Sequence, residues 1–100
     1  MVTTGQVATI VTLDILPDKD ADFRAIMEAM IMDVRANEPG TLLYYLTRVG
    51  EGSRYRMLEI YASADAAAAH SKRDTVREQA RAIGACLAAP VIIERLEGVL

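Results

Sequence analysis

His70 is the chain's only histidine, and Tyr44, Glu59 and Tyr61 lie on the hairpin just ahead of the short helix that carries it. An imidazole near a carboxylate can act as a general base close to neutral pH, because the negative charge favours the protonated ring. A helix carrying His70 above the strand face that bears Glu59 would let the two approach. Tyr44, Tyr61 and the thioethers of Met57, Met27 and Met30 are suited to lining a dry pocket for a planar aromatic ligand. Each residue also has a plainer role open to it. A lone histidine at a helix end can cap the helix or face solvent. Glu59 can simply accept the Tyr44 hydroxyl or pair with an arginine, and Met27 and Met30 can be core packing. The alanines from Ala66 to Ala69 make a good helix and also leave volume beside His70.

Most other chemistry has no residues to carry it. With one histidine and one cysteine, Cys86, there is no HxxxH or CxxC spacing, and no metal site is expected. No GxGxxG, P-loop or nucleophile elbow occurs, and Gly50-Glu51-Gly52 reads as a hairpin turn. No cofactor is therefore expected. The net charge of −3 and the scattered arginines argue against a nucleic-acid groove. No apolar run is long enough to cross a membrane, and the start, MVTTGQ, does not resemble a signal peptide. Cys86 reads as a small buried hydrophobe without a disulfide partner, which suits a reducing cytoplasm.

The elements that would position these side chains follow from periodicity. Gly5 to Leu16 is rich in β-branched types, with Val7, Thr9, Val11 and Leu13 on one face and Ala8, Ile10 and Thr12 on the other. Pro17 ends this strand, and Asp18 is placed to cap a helix in which Phe23, Ile26, Met27, Met30, Ile31 and Val34 recur at helical spacing. Glu38-Pro39-Gly40 is a helix stop and turn. The strands Thr41–Val49 and Arg54–Ala62 then flank the Gly50–Ser53 turn. With Val49 facing Arg54, Tyr44 lies opposite Glu59, Leu42 opposite Tyr61, Leu46 opposite Met57 and Arg48 opposite Tyr55, all on one face. After Ser63 comes the alanine helix to His70. Ser71 with Asp74 looks like a capping box that restarts a helix bearing Val76, Ala80, Ile83 and Leu87 on one side. Pro90 ends that helix, and Val91–Glu97 is the last strand. The order β-α-β-β-α-β around a central hairpin is the ferredoxin-like arrangement, an α+β fold with an antiparallel sheet.

That arrangement puts helices on one sheet face and leaves Leu43, Tyr45, Leu58 and Ile60 on the other. The chain is 52% hydrophobic, and exposing such a face would leave a patch that monomers seldom show. A homodimer closed by these faces is expected, each subunit being a single domain over residues 1–100.

Several of these pieces, in this order, resemble the antibiotic biosynthesis monooxygenase (ABM) domain family. They are Glu38-Pro39-Gly40, Tyr44 on the next strand, Met57-Leu58-Glu59-Ile60-Tyr61, the alanine-rich segment to His70, and the closing LAAPVIIERLE. The resemblance implies a dimeric α/β barrel of the ferredoxin-like fold. Some members are cofactor-independent monooxygenases that oxidise anthrones, quinols or polyketide-like phenols with dioxygen, and others degrade heme. Tyr44, Glu59 and His70 match positions of the family pattern, whereas Tyr61 stands where tryptophan is usual. By simple counting, the position of the heme-ligating histidine falls on Ala80, so the heme-degrading branch is disfavoured. The expected activity is oxidation of an electron-rich aromatic by dioxygen, with His70 and Glu59 catalytic and Tyr44, Met57, Tyr61, Met27 and Met30 against the substrate. A non-catalytic dimeric module binding a small molecule, or an enzyme of the muconolactone-isomerase kind, would use the same pocket.

Overall fold

The computed structural model describes residues 4–100. Its strands are β1 (Val7–Asp14), β2 (Thr41–Arg48), β3 (Arg54–Tyr61) and β4 (Ile92–Glu97), and its helices are α1 (Asp20–Asn37), α2 (Ala64–Lys72) and α3 (Asp74–Gly84). The strands form one antiparallel sheet in the order β2-β3-β1-β4, with the β-branched β1 in the interior between β3 and β4. The helices cover one face. This is the ferredoxin-like α+β fold expected from the order of elements.

Pairing in the hairpin follows the expected count for most of its length. Tyr44 faces Glu59, Leu46 faces Met57 and Arg48 faces Tyr55. The turn is held by Val49 N–H donating to the Arg54 carbonyl at 2.8 Å, with Gly50 at φ +66°, a left-handed value that glycine adopts freely. At the other end the expectation fails. Thr41, not Leu42, pairs with Tyr61, and the register shifts between Thr41 and Leu43. Leu42 is the extra residue of a bulge and is 52% exposed.

Helix α1 buries Phe23, Met27, Met30 and Val34 as one stripe against the sheet, while the tilted ring pair Phe23–Tyr55 lies at 4.8 Å. Its start differs from expectation. Asp18 lies in a 3₁₀ turn, Pro17–Lys19, and no side chain caps α1. Likewise the Ser71/Asp74 box does not form. Ser71 Oγ donates back to the Ala67 carbonyl, and Arg73 stands at the N-cap of α3 without a side-chain cap bond. Ser63 does cap α2, accepting from Ala66 N–H at 3.1 Å.

Helix α3 stops at Gly84 rather than running to Pro90. The chain turns so that Leu16 N–H donates to the Cys86 carbonyl and Ala88 N–H to the Asp14 carbonyl, both at 2.8 Å. Cys86 is buried, as expected, but just beyond the helix, and Leu87 bridges to Ile15. These bonds tie the end of α3 to β1 and hold the helix layer over the sheet. The opposite face of the sheet carries Leu43, Tyr45, Ile92 and Leu96, all exposed, with Leu58 and Ile60 half-buried. No helix among the described residues is long and apolar enough to cross a membrane.

Candidate functional site

The turn from α1 into β2 determines the site. Glu38 N–H still donates to the Val34 carbonyl at 2.9 Å, which makes Glu38 the C-cap residue of α1, and Pro39 prevents a further helical turn. Gly40 follows where a Cβ would come within 2.8 Å of the Ala66 Cβ. The small side chains at both positions let α2 approach this turn closely. That approach brings His70, near the end of α2, onto the Glu38 carboxylate. Gly40→Ala should therefore destabilise the fold by about 1–3 kcal/mol, the usual cost of overpacking. In a double-mutant cycle read by denaturant unfolding, Ala66→Gly should recover part of that loss. Strictly additive losses would mean that this contact does not limit the approach.

His70 Nδ1 lies 2.8 Å from Glu38 Oε1 and 2.9 Å from Oε2. The carboxylate also accepts from Thr41 Oγ1 at 2.7 Å and from Arg73 Nη1 at 2.6 Å. Burial raises the Glu38 pKa, but the hydrogen bonds from Thr41, Arg73 and His70 outweigh it and hold the group below its ordinary value. Arg73 is anchored in turn on Asp33, at 3.1 and 2.8 Å. An ionised Glu38 only accepts, so the proton of a neutral imidazole resides on Nδ1 and the lone pair on Nε2. The imidazole is further flanked by Tyr44, edge-on at 5.3 Å between ring centres, and by Tyr61 at 5.5 Å.

Glu59 does not hold His70. Its hydrogen bond is to the Tyr61 hydroxyl, which donates to Oε1. Glu59 is 9% exposed, and desolvation raises its pKa above the ordinary value, against the lowering effects of Tyr61 and His70. Burial also raises the Tyr44 and Tyr61 hydroxyls well above the usual range, with the Glu59 charge adding to the shift, so both remain neutral phenols. The expected Glu59–His70 pair is replaced by two separate units, Glu38–His70 and Glu59–Tyr61. Glu38, read from sequence only as part of a stop signal, is the residue that reasoning missed.

His70 of the first unit and both residues of the second line one cavity of about 570 Å³ between sheet and helices, with Glu38 behind the imidazole and outside the lining. All seven expected side chains line it: Met27, Met30, Tyr44, Met57, Glu59, Tyr61 and His70. Tyr61, at 2% exposure and with its hydroxyl bonded to Glu59, contributes little open surface. Ala67, Ala68 and Ala80 leave room along the helix wall, as expected of small side chains there. Among the described residues no group of His, Cys, Asp and Glu is arranged to hold a metal ion.

The sequence profile of the antibiotic biosynthesis monooxygenase family matches residues 6–82, the span from the start of β1 through most of α3. The chain belongs to this family. The match takes in Glu38, Tyr44, Glu59 and His70. Among solved structures, a candidate antibiotic biosynthesis monooxygenase from Caulobacter crescentus CB15 is 36% identical, with a TM-score of 0.93 over 98% of this chain and 93% of that one. A Mycobacterium tuberculosis protein is 28% identical, with a TM-score of 0.84 over 91% and 92% of the two chains. A candidate antibiotic biosynthesis monooxygenase from Nitrosomonas europaea shares the fold at 20% identity, with a TM-score of 0.86 over 98% and 94%. No curated protein matches the chain. As a member of the ABM family, it carries its buried His–Glu pair beside the cavity within the span that the family profile covers.

Proposed function

We propose that the chain is a monooxygenase that oxidises an electron-rich aromatic, a quinol, anthrone or similar phenol, with dioxygen and no cofactor of its own. The observation that carries this reading is the His70 imidazole, fixed through Nδ1 by a buried carboxylate and lining an apolar cavity of about 570 Å³. His70 Nε2 removes a proton from the substrate, and the resulting anion is electron-rich enough to reduce dioxygen. The thioethers of Met27, Met30 and Met57 and the Tyr44 ring keep the cavity dry, so the anion is not quenched by water. Glu59, protonated more readily than a surface carboxylate, is the second proton-handling group. For an anthrone the balance closes without an outside reductant. The ring methylene becomes a carbonyl with one oxygen atom, and the other oxygen leaves as water with both hydrogens.

The test is oxygen uptake by the purified protein with an anthrone under ¹⁸O₂. One dioxygen should be consumed per substrate, with label in the new carbonyl. Binding without uptake would leave a small-molecule-binding module, and unlabelled product would point to simple dehydrogenation.

We further propose that the subunit works as a homodimer closed by the sheet faces bearing Leu43, Tyr45, Leu58 and Ile60. The support is an apolar face on which Tyr45 is 55% and Leu43 38% exposed, continued by Ile92 and Leu96 on β4. Sedimentation at micromolar concentration should give twice the 10.9 kDa chain mass. Leu58→Asp should split or unfold the dimer, because a carboxylate buried without a partner is costly. A wild-type monomer would overturn this assembly.

A further inference from the structure

Two arginines line the cavity, and nothing in the proposed chemistry uses them. Arg77 comes from α3, within one turn of Ala80, and Arg95 comes from β4, where it faces Thr9 on β1. Both are exposed, whereas His70 and Glu59 are buried, so the arginines mark the mouth of the cavity and the proton-handling groups its interior. Two arginines elsewhere in the described residues are held in ion pairs. Arg54 is bound to Asp14, and Arg73 to Asp33 and Glu38. Among the described residues neither Arg77 nor Arg95 has a carboxylate within ion-pair distance.

Acidic residues lie nearby in sequence but not at the cavity. Asp74 and Glu78 flank Arg77, and Glu94 and Glu97 flank Arg95, yet none of these lines it. Glu94 alternates onto the opposite sheet face, opposite Ile10, whereas Glu97 shares the face of Arg95 at the end of β4, paired with Val7 and outside the cavity lining. Glu59 is the one carboxylate among the described residues that lines the cavity, although the chain as a whole has a net charge of −3. Arg95 also lies on the helix side of β4, away from the face proposed to join two subunits.

We infer that Arg77 and Arg95 form an anion-binding mouth, and that the preferred substrate is an aromatic carboxylic acid. Its ring system enters among the methionines and Tyr44, and its carboxylate stays between the two guanidinium groups. Guanidinium pairs suit this task because their planar forks match a carboxylate and stay charged at any working pH. The carboxylate also fixes which end of the ring system reaches His70. This inference rests on reading the cavity as the substrate site.

The experiment uses 2-naphthoate and its neutral counterpart 2-naphthamide, which share a ring system and shape. Neither is an oxidisable quinol, so binding is measured whatever the protein does with dioxygen. A failed oxygenase assay and a failed anion site are therefore distinguishable. By isothermal titration, naphthoate should bind at least about 10-fold more tightly than naphthamide, the scale of charge-assisted bonds to a carboxylate. The preference should shrink as salt is raised, since the arginines are exposed. Arg77→Gln/Arg95→Gln should abolish the preference, bringing the naphthoate affinity down to that of naphthamide, with circular dichroism confirming the fold. Equal affinities for the two probes, a preference that survives in the double variant, or no binding of either would each overturn the inference.

Discussion

His70→Ala should lower kcat/KM on an oxidisable anthrone or quinol by about 10²–10⁴-fold, the usual worth of a positioned base. The fold should remain, because Glu38 keeps the Thr41 and Arg73 donors when the imidazole is removed. Chemical rescue is the more specific reading. Added imidazole should restore part of the rate, since the vacated space lies between the Tyr44 and Tyr61 rings, 5.3 and 5.5 Å from the original ring centre. A variant with full activity would make His70 a structural residue and transfer the proton chemistry to Glu59 or to water.

Residues placed by local pattern were legible in the sequence, and those placed by distant partners were not. Tyr44 opposite Glu59 followed from counting away from the Gly50–Ser53 turn, because a short hairpin loop fixes the register beside it. Counting failed at Leu42, at the far end of the same strands. There the Ala62 N–H donates to the Gly40 carbonyl and the Thr41 hydroxyl to Glu38, and these bonds set the entry of β2 before the ladder does. The cavity set was legible because strand alternation and helical spacing put Met27, Met30, Tyr44, Met57 and Glu59 on facing surfaces.

Glu38 was hidden for another reason. Its place before Pro39-Gly40 is sufficient to explain a helix stop, and its partners His70 and Arg73 are 32 and 35 residues away. One signal was present in the sequence. His70 and Arg73 are three residues apart at the end of a helix, so two cation-capable side chains emerge close together from a segment that is otherwise alanine-rich. Such a pair, once packed inward, calls for a carboxylate opposite. Of the acids ahead of β2, Asp33 reaches Arg73, but Glu38 is the one that meets both His70 and Arg73, beside the close contact of Gly40 with Ala66.

Glu38→Gln should then do two things at once, and the combination is diagnostic. The glutamine side chain has one acceptor oxygen for the three donors that the carboxylate satisfies, from Thr41, His70 and Arg73. At least one is left unpaired next to a group only 8% exposed, which should cost about 1–3 kcal/mol of stability at pH 7. The pH dependence of that loss has a definite sign. The folded-state pKa of Glu38 lies below its ordinary 4.5, so the wild-type advantage is full above that value. It then disappears as pH falls through the lower folded value, where the carboxylate is protonated in both states. Urea midpoints for wild type and Glu38→Gln should therefore differ at pH 7 and converge in acid. Activity should fall by about 10-fold or more even where the variant is fully folded, because the ring no longer has a carboxylate to fix its tautomer and orientation. The effects of Glu38→Gln and His70→Ala on kcat/KM should also be far from additive, since positioning an imidazole that has been removed has no further value. Additive losses would show that Glu38 acts on the substrate directly and not through His70.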